Sequence, residues 1–293
     1  MPKITANKAS FKHPKFAPLT LDFTFKKAFA NEQSTELLLF LLNTFLAEKL
    51  QSPIKKVSII NSERLGKTRF NRNAVFDVYC EDATGSRFIV EVQVKGQKYF
   101  IKRTFFYLCM IICSLATKGK KYDFNIPKLY SISFLDFNLN FGKGCTEVIQ
   151  HLSMRNDKHP EVSYDMLQMT FVILPRFKKK ESECETIMDK VLFSLKNGHK
   201  LKGVPESFKE KELRDIFSIT EISNFTEREI KQYEAAMMNR HDQRAIIAYA
   251  EEKADARGVK RVARNMLARG FSVADVLKAT DLPREQVRAL SKG

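Results

Sequence analysis

Apolar positions along the chain follow two different periods. Through 35–49, Leu37, Leu38, Leu41, Leu42, Phe45 and Leu46 recur at steps of three and four, which makes one broad face of a helix apolar. Ser34 or Thr35 can cap it, and Pro53 ends the connection that follows. A shorter helix over 22–29 sets Phe25 and Phe29 one turn apart. The period then drops to two. Strands are predicted over 54–61, 74–80 and 87–95, with a hairpin turn at 82–85 ending in Gly85. A helix over 98–117, with Gly119 as its stop, and a strand over 128–137 after Pro127 complete the set. Weaker strands are predicted near 146–152 and 168–174. From 181 onward the pattern is helical, over 183–196, 206–218 and 226–255, and Gly258 and Gly270 divide the remainder into short helical pieces.

The element order is helix, strand, strand, strand, helix, strand. It predicts an α/β domain with a mixed sheet, followed by an α-helical C-terminal region. The expected division is a basic N-terminal arm at 1–20, the α/β domain at 21–180 and the helical region at 181–293.

Two strands carry acid where their apolar neighbours predict burial. Asp77 sits in Phe-Asp-Val-Tyr at 76–79, and Glu91 in Val-Glu-Val-Gln-Val at 90–94. Charged side chains are seldom fully buried unless they are paired or bind metal. Alternation places Glu91, Gln93 and Lys95 on one face and Val90, Val92 and Val94 on the other, while Asp77 and Tyr79 share a face of the preceding strand. The short turn can bring Asp77 and Glu91 together across the ladder. Two carboxylates so placed repel, and a hard divalent cation such as Mg²⁺ compensates them while leaving coordination sites for phosphate oxygens. Alternating polar residues also mark an ordinary solvated sheet face. The paired acids and their strongly apolar flanks favour the metal site.

Charge extends this picture. Fifty Lys and Arg against 34 Asp and Glu give a net charge of +16, which points to a polyanionic partner, nucleic acid foremost. The sequence offers no long basic helix with a strongly apolar opposite face, and its longest apolar runs are too short to span a bilayer. Five cysteines at irregular spacing, without paired Cys/His clusters, argue against structural zinc. Cys109 and Cys113, one turn apart in an apolar stretch, read as buried free thiols. With no apolar leader at the N-terminus, the expectation is a reduced, cytoplasmic, non-membrane protein.

With Asp77 on the second strand and Glu-x-Gln on the third, residues 20–137 resemble the PD-(D/E)XK nuclease family transposase group, related to the recombination-promoting nuclease family. The resemblance rests on the segment 22–29, the Leu42-Asn43 pair, Phe76-Asp77-Val78, Glu91 to Val94, and the segment 99–107 that opens the next helix. It implies a restriction-endonuclease-like core and a metal-dependent DNA endonuclease using Mg²⁺ or Mn²⁺. By this resemblance Asp77 and Glu91 are metal ligands and Gln93 stands where the family usually has Lys. An acid from the first helices, Glu36 or Asp22, completes the site. Phe76 in place of Pro is chemically neutral. Gln93 in place of Lys removes a positive charge, which Lys95 could supply. Arg103, one turn before Tyr107, either grips a phosphate or packs its stem on aromatics.

Residues 258–291 read as a helix-turn-helix, with Ser272 capping one helix and Leu282-Pro283 opening the next. Arg284 and Arg288 fall on one exposed face as DNA contacts. The alternative for this tail is a small helical cap or a homo-oligomerisation element. The basic clusters 118–121 and 177–180 are further phosphate contacts or plain solvated faces. For the whole chain, the alternative to an endonuclease is a non-catalytic DNA-binding or protein-interaction module on the same fold.

Overall fold

The alternating segments form one six-stranded sheet in a computed structural model that describes residues 13–31, 35–60, 76–115 and 126–291. Its strands are β1 (Val57–Ile59), β2 (Val78–Asp82), β3 (Arg87–Gln93), β4 (Leu129–Leu135), β5 (Ile149–Arg155) and β6 (Ser163–Ile173). They lie in the order β1-β2-β3-β4-β6-β5. β1, β2 and β3 are antiparallel neighbours, β3–β4 and β4–β6 are parallel, and β5 pairs antiparallel with β6. At the β2–β3 turn, Asp82 Oδ1 accepts the N–H groups of Thr84 at 2.9 Å and Ser86 at 3.0 Å, while Gly85 takes φ +85°. A parallel pair needs a long crossover, and α3 (Phe100–Leu115) lies between β3 and β4 in the chain.

Helices cover both faces of this sheet. On one face, α1 (Asp22–Phe29) and α2 (Thr35–Leu46) bury Phe25, Phe29, Leu38 and Leu42 against Val78, Val90, Val92 and Phe134. The same core takes in α4 (Ile187–Asn197) and α5 (Lys211–Thr220) through Val191, Leu195, Ile216 and Phe217. On the other face, Leu108 and Ile111 of α3 pack with Tyr79, Ile89 and Leu129. Phe100 joins Leu135, Phe171 and Ile173. β4 is buried along its whole length, as a central strand covered on both sides must be. β2 to β4 are thus largely covered on both faces, whereas β5 and the first residues of β6 are half-buried or exposed.

Several boundaries differ from the sequence expectation for identifiable reasons. β1 is only three residues long because the Asn43 side chain takes both backbone groups of Ile54, accepting its N–H at 2.8 Å and donating to its C=O at 2.9 Å. The strand predicted at 74–80 begins at Val78, since Asp77 uses its side chain rather than its backbone on β3. The expected N-terminal arm is core from Phe16 on. Phe16, Ala17, Leu19 and Thr20 are buried, and Ala17 N–H donates to Thr220 C=O at 2.8 Å. Cys109 is half-buried and Cys113 exposed, so the buried-thiol expectation holds for neither fully. Gly119 and the basic cluster 118–121 lie outside the described residues.

The chain divides into two compact units, 1–233 and 234–293, rather than at 180. The reason is that α4 and α5 complete the core beneath the sheet. α6 (Glu227–Ala268) runs unbroken through Gly258, which is helical here. Gly270 does end it, at φ +87°. In the second unit α7 (Val273–Thr280) and α8 (Arg284–Leu290) follow, and Val276 and Val287 bury against Ala263. Ser272 caps α7 reciprocally with Asp275, and Asp281 makes the turn in the left-handed region at φ 50°. Arg284 and Arg288 are exposed on α8.

Candidate active site

The site forms where β2 begins and β3 ends. The register pairs Val78 with Val90, so one step further along the ladder Asp77 stands opposite Glu91. Asp77 Oδ2 accepts the Val92 N–H at 2.7 Å. That bond ties the carboxylate to β3 at the residue that follows Glu91. Both acid side chains are nearly covered, at 11% exposure for Asp77 and 15% for Glu91.

Each acid has one cation beside it. Lys26 Nζ on α1 lies 2.6 Å from Asp22 Oδ1 and 3.4 Å from Asp77 Oδ1, so one ammonium bridges the two. Arg103 Nη2 on α3 lies 3.9 Å from Glu91 Oε1. Arg103 also donates to Gln97 Oε1 and rests over the Phe100 ring at 5.2 Å, while its Nε is buried without a hydrogen-bond partner among the described residues. The Gln93 amide donates to Glu91 Oε1.

These contacts set the protonation of the acids. Burial pushes Asp77 up, and a hydrogen bond shared with the Asp22 carboxyl pushes it further; the Val92 N–H and Lys26 oppose this, and the carboxyl rests at about 7. Partial burial would raise Asp22 too, but the bond to Asp77 and the Lys26 ammonium outweigh it and hold Asp22 below the ordinary value. Asp22 and Asp77 therefore titrate as a pair. Burial raises Glu91 as well, against the pull of Arg103 and the Gln93 amide.

The predicted residues separate cleanly. Asp22 and Asp77 share Lys26, while Glu91 groups with Gln93 and Arg103, so these residues form two clusters on adjacent strand ends. Glu36 is elsewhere: its carboxylate is exposed and meets Lys211 of α5 at 3.3 Å. Lys95 lies two residues past the end of β3, half-buried and in no ion pair among the described residues. Tyr107 packs edge-on against Phe76, with ring centroids 6.3 Å apart. Lys26 and Gln97 were not singled out from the sequence. The Asp22–Lys26 spacing of four on a short helix was the available signal for the first. Among the described residues, no three His, Cys, Asp or Glu side chains converge as a ready cage for a metal ion. The donors at hand are the carboxylates of Asp77 and Glu91, on neighbouring strands, and the Gln93 amide.

A helix-covered mixed sheet with acids at the ends of two adjacent strands defines an α/β fold of the PD-(D/E)XK type. The family model for PD-(D/E)XK nuclease family transposases matches residues 19–250, and the chain belongs to that nuclease-type family. Comparisons with curated proteins and with solved structures give no match. Among the described residues, no helix is long and apolar enough to cross a membrane.

Proposed function

We propose that the protein is a metal-dependent DNA endonuclease that hydrolyses phosphodiester bonds at the Asp77–Glu91 pair. The observation that carries this reading is two nearly buried carboxylates at facing positions of adjacent strand ends, one of them pushed to about 7. Carboxylates are not kept in that state for stability. PD-(D/E)XK nucleases are generally divalent-metal dependent.

The donors fit such an ion. Asp77 and Glu91 offer hard oxygens, and Mg²⁺ or Mn²⁺ commonly takes only one or two carboxylates beside phosphate oxygens. Bound there, the ion would supply charge stabilisation at phosphorus and acidify the attacking water. The chain's own residues do the rest. The Val92 N–H fixes Asp77, and the Gln93 amide fixes Glu91 through its donated hydrogen bond. The carbonyl oxygen of Gln93 is left to accept from a water molecule. Arg103 brings a guanidinium to the glutamate side, a group suited to a phosphate oxygen. Lys26 neutralises Asp22, so the aspartate pair need not carry two charges. Lys95 remains a candidate phosphate contact beyond β3.

The test is nicking of supercoiled plasmid in Mg²⁺ and Mn²⁺ by wild type, Asp77→Ala and Glu91→Ala. Wild type is expected to nick and both variants to fall below detection. Equal nicking by all three would remove these residues from the chemistry. DNA binding without nicking by wild type in either metal would favour a binding module on the same fold.

A further inference from the structure

Tyr99 immediately precedes α3 and breaks three local rules. Its backbone is in the left-handed region at φ 64°, a conformation that suits Gly or Asn and costs a bulky residue. Its C=O accepts the Arg103 N–H at 2.9 Å, so it flanks the helix where Ser, Thr, Asp or Asn would cap it, and its side chain can provide no such cap. The residue is 62% exposed. Strain, a forgone cap and an exposed aromatic together indicate a residue retained for what its ring contacts.

The surroundings specify the contact. Lys98 Nζ and Lys102 Nζ lie 5.0 Å and 5.6 Å from the ring centroid, so two cations flank one flat apolar surface. Four residues on, Arg103 pairs with Glu91. An aromatic face bordered by ammonium groups is the combination that binds single-stranded nucleic acid, the ring stacking on a base and the cations meeting adjacent phosphates. An exposed cation–π contact is weaker than base stacking, so a base can displace the lysines towards its phosphates.

We infer that Tyr99, with Lys98 and Lys102, is a stacking platform for an unpaired nucleobase next to the scissile phosphate. The preferred substrate is then DNA with an unpaired nucleotide at the cleavage point, such as a single strand, a frayed end or a junction. The inference rests on the nuclease reading above for the position of the scissile bond.

The test is binding by the full chain, without metal, to a fluorescein-labelled single strand and to the duplex of the same length. A second single strand carries 2-aminopurine, whose emission is quenched on stacking. Tyr99→Phe is expected to bind like wild type. Tyr99→Ala and Tyr99→Asn are expected to lose about tenfold affinity for the single strand, little for the duplex, and the 2-aminopurine quenching. Asn suits the left-handed backbone, so Tyr99→Asn is expected to melt no lower than wild type, which separates lost stacking from lost folding. Unchanged single-strand binding by both variants, or equal losses on both DNAs, overturns the platform. A wild type that nicks plasmid while its Tyr99 variants bind normally fails this inference alone. A wild type that never nicks, with the Tyr99 effect present, fails the nuclease reading and leaves the platform standing.

Discussion

Asp77 is held in place by a bond that any carboxylate or amide could make, yet it keeps an acid whose ionisation the site opposes. Its oxygen caps the Val92 N–H, and its proton is retained up to about 7 against an ordinary value of 3.8. A group whose folded value is raised gives stability that is present below about 3.8 and lost as pH rises through about 7. Asp77→Asn keeps the acceptor and cannot ionise. In chelator, its melting temperature is expected to fall less than that of wild type between pH 5 and 8, and to exceed wild type at the upper end. The same variant is expected to nick no plasmid, the pattern of a residue kept at a cost to stability. Parallel melting profiles for the two proteins would show that Asp77 does not titrate in this range. The acids were legible in the sequence because apolar neighbours exposed them, and so was the split of Val90 and Val92 from Glu91 and Gln93. The displacement of Asp77 out of the strand was not legible. It follows from a side chain replacing a backbone partner, and pattern records no such exchange. Nor could pattern choose between Asp22 and Glu36, because that choice depends on where α1 and α2 lie over the sheet.

Elements were read more reliably in type than in length, and local bonds explain the difference. Asn43 ends the α2 connection by clamping Ile54 from both sides. Asn43→Ala leaves two backbone groups of a buried residue without these partners, and a loss of about 1–3 kcal/mol is expected in urea unfolding, with the slope unchanged. A change of a few tenths would mean that water replaces the clamp. α4 begins at Ile187, four residues after its predicted start, because Thr186 and Asp189 form a reciprocal cap there. Burial would raise Asp189, but Lys179 at 2.8 Å and the Thr186 groups outweigh it and hold the carboxyl low. Its stabilisation is therefore present above the unfolded value of 3.8 and is lost as pH falls through the lower folded value. Asp189→Ala is expected to cost about 1 kcal/mol at neutral pH, and less as the pH drops below 4; an equal cost at all pH values would assign the effect to packing. At Gly258 the expected helix break fails for a simple reason. One interior Gly costs about 1 kcal/mol, which a long helix absorbs, whereas Gly270 stops α6 because it adopts a positive φ.

At the scale of the whole molecule, sequence patterning missed what depends on distant contacts. Phe16 and Leu19 looked like part of an arm because their partners, Phe217 among them at 5.0 Å between ring centroids, lie some 200 residues away. The division after Tyr233 was hidden for the same reason, since α4 and α5 join the sheet's core only in three dimensions. Net charge, by contrast, is visible in the sequence, and +16 makes a definite claim about binding. If the second unit contacts DNA through α8, Arg284 and Arg288 each neutralise a phosphate. Arg284→Ala/Arg288→Ala is then expected to weaken duplex binding and to lower the slope of log K against log salt by about 1.8, twice the release expected per phosphate. Both arginines are exposed and Val287 alone anchors α8 inward among its fully buried positions, so melting temperature is expected to stay within a degree or two. A tail that serves as a cap or as a homo-oligomer contact gives a different result. The salt slope then stays at the wild-type value, and any effect appears instead as a change of mass in solution scattering. A changed slope at unchanged mass places the tail on the nucleic acid.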